Sequence, residues 1–258
     1  MRPLAIPDDP ASLALGQHIA HTRGCVDCHS RDFGGGKVMD DSAMGRIFAP
    51  NLTGGRGGVV TGYQDGDWIL AVRHGVSRSG RGLFVMPSEE YSRFSDEDLA
   101  SVIAYLKSLP PVDRDPVPME FGPVTRVLLT LEKMKLSAEI IDHSGPQPAT
   151  VAKGPTVEYG RYVANGCSGC HGPNFSGGKI EIGPQGWPPA GNLTMHESSN
   201  LPRWTELDFM RVIREGRRPD GAALDPVMPR GIAGMDDVEL RALWLFFKSL
   251  PPAATGIR

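Results

Sequence analysis

The pattern Cys-x-x-Cys-His occurs twice in this chain, and it constrains the fold more than any other feature. It stands at residues 25–29 (Cys-Val-Asp-Cys-His) and again at residues 167–171 (Cys-Ser-Gly-Cys-His). The pattern is typical of covalent haem c attachment, in which each thiol adds to one vinyl group and the adjoining His is the proximal iron ligand. We therefore predict two covalently bound haems, held by Cys25, Cys28, His29, Cys167, Cys170 and His171.

Two other interpretations of such cysteine pairs are a thioredoxin-like redox pair and half of a zinc site. The two motifs use all 4 cysteines of the chain, so no thiol remains for a disulfide or a separate nucleophile. Each motif has an immediate His and lies in matching surroundings, which favours haem attachment.

The chain is a tandem repeat with an offset of 141–142 residues. The offset relates the two cysteine motifs, Asn51-Leu52-Thr53 to Asn192-Leu193-Thr194, and the Lys-Ser-Leu-Pro-Pro runs at 107–111 and 248–252. Internal repetition of this kind indicates homologous units. We predict one domain over residues 1–111, a linker over 112–156 and a second domain over 157–258.

The fold class is predicted to be all-α, with short helices and long loops around each haem. Apolar periodicity and end signals place three helices in each half. They are predicted over residues 11–22, 65–74 and 96–108, and over residues 157–165, 206–215 and 237–249. Pairs of small residues four apart, Gly16/Ala20 and Gly160/Ala164, predict close packing of the first helix of each half.

The linker is Pro-rich at both ends, and its centre has a helical apolar pattern. We predict one amphipathic helix over residues 124–141 between two extended segments. Its apolar face has two possible roles: packing across the two domains, or docking on a membrane or a partner.

Met86 and Met228 are the predicted sixth ligands of the two irons. Each follows the first Cys of its motif by 61 residues and precedes a Pro. A Met opposite the His is the ligand pair of electron-transfer cytochromes. The remaining candidates have no counterpart at the repeat offset: Met39, Met44, His74, Met195, His196 and Met235.

Each proximal His needs an acceptor for its second ring nitrogen, and a backbone carbonyl is a common choice. We predict the carbonyl of Pro50 for the first half and that of Gly191 for the second. Arginines near the Met loops, such as Arg73, Arg78 and Arg81, are candidates for pairing with haem propionates or acidic partners, or for plain surface charge.

Composition limits the class of protein and its compartment. A net charge of −3 excludes a strongly basic nucleic-acid-binding protein. The sequence contains no run of 18 apolar residues, so we predict no membrane-spanning helix. Haem attachment in bacteria takes place outside the cytoplasmic membrane, so we expect a periplasmic protein. Residues 1–7 have no apolar segment of the kind that a signal peptide contains.

Together these motifs resemble the class I cytochrome c domain over residues 11–111 and 157–252. The shared features are Cys-x-x-Cys-His after a first helix, an Asn-Leu loop, a late Met-Pro and a last helix that ends in Leu-Pro-Pro. The chain also resembles the cytochrome subunits of bacterial membrane-associated alcohol, aldehyde and gluconate dehydrogenases.

The resemblance implies a periplasmic dihaem electron carrier or a subunit of a dehydrogenase or respiratory complex, and not an enzyme in itself. Its expected partners are a dehydrogenase, an oxidase or another cytochrome, in a complex that can be membrane-associated. The alternative is a dihaem enzyme such as a cytochrome c peroxidase, which needs one iron with a displaceable ligand. The two matched methionines argue against that alternative.

Overall fold

The computed structural model describes residues 3–180 and 186–257. The chain divides into two compact units after Thr150. Residues 112–150, which the sequence assigned to a linker, pack with the first unit.

Helices form most of the regular structure of both units. In the first unit they are α1 (Pro10–Thr22), α2 (Cys25–His29), α3 (Asp65–His74), α4 (Ser88–Tyr91), α5 (Asp96–Ser108), α6 (Pro123–Thr130) and α7 (Ser137–Ile140). In the second they are α8 (Val157–Val163), α9 (Ser168–His171), α10 (Glu206–Glu215) and α11 (Asp237–Ser249), with 3-10 turns at Ala164–Cys167, Leu201–Arg203 and Gly231–Gly234.

The bounds predicted for α3, α5, α10 and α11 are confirmed. Local capping explains why the sequence located them so well. Ser95 accepts a hydrogen bond from the backbone N–H of Asp98, and Asp236 forms a capping box with Glu239. Such caps satisfy N–H groups that have no partner inside the helix.

Each unit has its own core, built on the close packing of α1 with α5 in the first unit and of α8 with α11 in the second. In the first unit Ile19 of α1 packs with Leu99 and Ile103 of α5, and all three are buried. In the second unit Val163 of α8 packs into a core with Leu240 of α11. These cores support the surrounding loops.

The all-α prediction is incomplete, because the first unit contains a small antiparallel sheet. Strand β1 (Gly36–Asp41) pairs with β2 (Gly45–Ala49), and β2 pairs with the short β3 (Glu120–Phe121). The turn between β1 and β2 is fixed by Asp41, whose carboxylate accepts from the N–H groups of Ala43 and Met44 at 2.9 and 2.7 Å. The third strand comes from the predicted linker, so local sequence did not reveal the pairing.

The single linker helix predicted over residues 124–141 is wrong: the structure has α6 and α7 with a break between them. Glu132 takes a left-handed φ of 54°. The N–H of Glu132 bonds to the Leu129 carbonyl at 3.1 Å, and that of Lys133 to the Leu128 carbonyl at 2.9 Å. This is a Schellman helix end. It escaped prediction because Glu, and not Gly, occupies the left-handed position.

The apolar side of α6 is exposed, because no other part of the first unit that the structure describes covers it. Val127 is 55% exposed and Leu131 60% exposed. None of the helices in the described residues is long and apolar enough to cross a membrane.

Candidate functional site

The first cysteine motif forms the short helix α2. Gly24 precedes it with a left-handed φ of 87°, and Ser30 follows with a φ of 65°. The chain therefore turns sharply on both sides of a single helical turn. That turn carries Cys25, Cys28 and His29, which brings the three side chains close together.

His29 is buried and is oriented by a backbone carbonyl. Its Nδ1 atom lies 2.9 Å from the Pro50 oxygen. A carbonyl only accepts hydrogen bonds, so Nδ1 carries the hydrogen and Nε2 keeps its lone pair. Burial lowers the pKa of His29, so the ring is neutral at neutral pH. A neutral ring with an available Nε2 has the form that an iron ligand needs.

The loop that presents Pro50 is fixed by its neighbour Asn51. The Asn51 carboxamide oxygen accepts from the N–H of Thr53 at 2.9 Å, and its nitrogen donates to the Val112 carbonyl at 2.7 Å. Asn51 is 5% exposed. These bonds join the loop to the chain beyond α5 and hold the Pro50 carbonyl in position.

An apolar cavity of about 600 Å³ lies above α2. Cys25, Cys28, His29 and Met86 all line it, together with Pro50. The volume is in the range of cofactor sites. Two thiols, one imidazole and one thioether in a mainly apolar cavity are the donor set that haem c requires, so these residues fit the group.

The two thiols do not have the properties of a redox pair. Burial, and then the neighbouring Cys28, raise the pKa of Cys25 to about 12. Burial also raises the pKa of Cys28. Reactive cysteines have lowered pKa values because the thiolate is the nucleophile. The thioredoxin-like interpretation is therefore disfavoured.

Met86 lies in a constrained loop between α3 and α4. Val85, just before it, has a left-handed φ of 68°. The Met86 carbonyl accepts from the N–H of Ser88 at 2.8 Å, and the Ser88 hydroxyl donates to the Ala71 carbonyl of α3 at 3.1 Å. The loop is thus attached to the helix that forms one wall of the cavity.

The second unit repeats the local arrangement around its motif. His171 is buried, and its Nδ1 lies 2.7 Å from the Gly191 carbonyl oxygen. Asn192 again accepts from the N–H of Thr194 at 2.8 Å and donates to the Ala253 carbonyl at 2.8 Å. Met228 packs against the core of this unit. Gly191 supplies the carbonyl where the first unit uses Pro50.

The arginines of the first unit divide into two groups. Arg73 forms an ion pair with Asp96 at 2.9 Å, and both side chains are nearly buried. It is therefore part of the scaffold between α3 and α5. Arg78 and Arg81 line the cavity, and Arg78 also forms an ion pair with Asp67 at 3.7 Å.

Sequence reasoning missed several apolar residues that shape the cavity. Trp68, Tyr91 and Phe94 line it, and Tyr91 donates a hydrogen bond to the Arg23 carbonyl at 3.0 Å. Their apolar character was visible, but no local signal distinguished a cavity wall from ordinary core.

Comparison with protein families agrees with this geometry. The family model described as cytochrome c matches residues 13–110. The match covers α1 to α5 and includes the first cysteine motif and Met86.

The proteins to which this chain is similar include cytochrome c subunits of dehydrogenases. The chain is 30% identical to the gluconate 2-dehydrogenase cytochrome c subunit of Pantoea cypripedii, over 95% of this chain and 62% of the relative. It is 28% identical to the alcohol dehydrogenase (quinone) cytochrome c subunit of Komagataeibacter europaeus, over 95% of this chain and 58% of the relative. The predicted resemblance to dehydrogenase cytochrome subunits is confirmed, although the chain spans only about three fifths of those relatives.

A third relative is closer in length. The chain is 25% identical to a diheme cytochrome c-type protein of Cereibacter sphaeroides, over 92% of this chain and 85% of the relative.

Proposed function

We propose that the chain is a periplasmic dihaem c-type cytochrome that transfers electrons between redox partner proteins. The observation that carries this proposal is the shared cavity of Cys25, Cys28, His29 and Met86. When bound there, haem c supplies one-electron redox chemistry. The protein holds it, orients the ligands and excludes water.

In the first domain, Cys25 and Cys28 would hold the haem covalently, and His29 and Met86 would ligate its iron. The Pro50 carbonyl fixes the direction in which His29 Nε2 points. Apolar walls around these side chains would keep water from the iron, and a Met thioether would raise its reduction potential.

In the second domain, Cys167, Cys170, His171 and Met228 have the same roles, and Gly191 replaces Pro50. The matching hydrogen bonds of His171 and Asn192 support this assignment, as does the relative named as a diheme cytochrome. The proposed haem domains span residues 1–111 and 157–258. Residues 112–156 join them.

The proposed electron donor is a dehydrogenase, because the named relatives are cytochrome subunits of such enzymes. An oxidase or another cytochrome would accept the electrons, in a complex that can be membrane-associated. Arg78 and Arg81 beside the first cavity favour an acidic contact surface on the partner.

The competing function is a dihaem peroxidase, which needs an iron that can lose its sixth ligand. The test uses the full chain, exported with its haems attached. We expect two haems that titrate reversibly in a redox titration, and no catalytic consumption of hydrogen peroxide by the half-reduced protein. Rapid peroxide turnover with loss of the Met signal at one haem would replace the carrier by the peroxidase.

A further inference from the structure

Helix α7, from the predicted linker, lies against the loop that carries Met86. Ser137, the first residue of α7, is 9% exposed. Its hydroxyl donates to the Met86 carbonyl at 2.7 Å. The Met86 carbonyl therefore has two donors, the Ser88 N–H from its own loop and the Ser137 hydroxyl from a segment 51 residues later.

The residues on either side of Ser137, Leu136 and Ala138, also pack against the Met86 loop. A Cβ placed on Gly82 would lie 2.7 Å from a methyl carbon of Leu136. A Cβ on Gly75 would lie 3.2 Å from the Ala138 nitrogen. Residues 136–138 thus pack tightly against both ends of the Met86 loop, with the Ser137 hydrogen bond at the centre.

The loop needs such support because its backbone is strained. Val85 has a φ of 68°, a left-handed conformation that β-branched residues strongly disfavour. Conformations of this kind persist only where surrounding contacts hold them. The residue held next to Val85 is the proposed iron ligand.

We propose that Ser137 is a positioning residue for Met86: its hydroxyl keeps the Met86 carbonyl, and so the thioether, in place for the iron. This rests on the proposed ligation by Met86. Without the hydroxyl, Val85 can relax and Met86 withdraws more easily, so competing ligands reach the first iron at lower concentration.

The second unit serves as an internal reference because it lacks this arrangement in the part that the structure describes. Val227, the counterpart of Val85, does not have a positive φ. Arg230 takes the place of Ser88, and its guanidinium lies beside Gly216. Gly216 is the counterpart of Gly75, which in the first unit has Ala138 beside it. Effects of Ser137 should therefore be confined to one haem.

Glu89 gives a second way to probe the same hydroxyl. The Ser137 hydroxyl also forms a short hydrogen bond with the Glu89 carboxylate. A hydroxyl has a single hydrogen, so the Glu89 and Met86 oxygens compete for it. In Glu89→Gln the side-chain amide can donate to the Ser137 oxygen, which leaves the hydroxyl hydrogen to the Met86 carbonyl.

The experiment is a titration of the oxidised holoprotein with imidazole, followed by the sulfur-to-iron charge-transfer band. Met86→Ala and Met228→Ala first assign the band of each haem. Ser137→Ala should raise the imidazole affinity at the Met86 haem about fivefold, the size expected from one net hydrogen bond. The affinity at the Met228 haem should stay unchanged.

Two further variants sharpen the test. Glu89→Gln should leave the imidazole affinity of the Met86 haem at or below the parent value. Ser144→Ala is the matched control, because Ser144 lies in the same segment and bonds only to the exposed Asp142 among the described contacts. Should Ser137→Ala fold poorly, Leu136→Ala loosens the same contact and should act in the same direction.

The proposal is overturned if Ser137→Ala leaves the Met86 haem unchanged, or if it affects both haems equally. A different result separates it from the proposed function: if Met86→Ala removes no part of the band, then the ligation itself is wrong.

Discussion

Gly16 of α1 lies directly against the backbone carbonyl of Ser101 on α5, so that a Cβ on Gly16 would be 1.9 Å from the Ser101 oxygen. The second unit repeats the contact, since a Cβ on Gly160 would be 2.0 Å from the Ala242 oxygen. The close helix packing predicted from small residues is therefore confirmed. In both units the obstacle is backbone, which a side-chain rotation cannot relieve.

We expect Gly16→Ala and Gly160→Ala each to lower the free energy of unfolding of its unit by about 1–3 kcal/mol, because the helices must move apart. Denaturant unfolding of the holoprotein measures the loss. Gly66→Ala on α3 is the control, as a Cβ there meets nothing within 4 Å. Equal effects of Gly16→Ala and Gly66→Ala would show that backbone flexibility, and not packing, sets the stability.

Haem attachment predicts a specific mass. The exported chain should carry two added haem masses, because Cys25 with Cys28 and Cys167 with Cys170 form two complete motifs. Cys25→Ala combined with Cys28→Ala should leave one haem mass under denaturing mass spectrometry. A parent protein with a single added mass would contradict the dihaem assignment.

Ligation by Met86 and Met228 predicts two contributions to the sulfur-to-iron charge-transfer band of the oxidised protein. Met86→Ala and Met228→Ala should each remove about half of the band and lower the potential of one haem. Met39→Ala is the control, since Met39 has no counterpart at the repeat offset. An undiminished band in one of the two variants would mean that another ligand binds that iron.

The arginines beside the first cavity predict how charged reagents react. The chain has a net charge of −3, which by itself would slow anionic ferricyanide at low salt. A local field from Arg78 and Arg81 should instead make ferricyanide oxidation of the reduced protein slower as salt rises. Stopped-flow rates should lose this dependence in Arg78→Gln/Arg81→Gln, whereas Lys135→Gln should keep it.

Asp236 at the start of α11 predicts a pH dependence of stability. Partial burial raises the pKa of Asp236, but hydrogen bonds from Lys153 and the Glu239 N–H outweigh this effect and hold the pKa below the ordinary value of an aspartate. A carboxyl group whose pKa is lower in the folded protein than in the unfolded chain stabilises the fold at pH values above its unfolded-state pKa. This stabilisation is lost as the pH falls through the folded-state pKa.

Asp236→Ala should therefore cost about 1 kcal/mol at pH 7 through the lost cap, and less at pH 3. Thermal unfolding at the two pH values measures the difference. Glu197→Gln, an exposed loop substitution, should change stability equally at both. A cost for Asp236→Ala that does not shrink in acid would contradict a role for its ionised form.

The sequence revealed the helices best where their ends are encoded locally. Ser95, Thr205 and Asp236 each cap the helix that follows, so the bounds of α5, α10 and α11 depend on residues a few positions apart. The same local reasoning failed at Glu132. There the left-handed conformation that ends α6 occurs at a residue type that rarely adopts it.

For the site, the sequence alone predicted the chemistry. Covalent attachment needs a fixed spacing of Cys and His, and the repeat singled out Met86, Met228 and the loops of Pro50 and Gly191. Only the tertiary structure decided what surrounds and restrains these groups. The third strand, the walls formed by Tyr91 and Phe94, and the Ser137 contact with Met86 join residues far apart in the chain. Such contacts depend on which distant segments pair, and that choice leaves no periodic or adjacent pattern in the sequence, unlike the apolar face of a single helix.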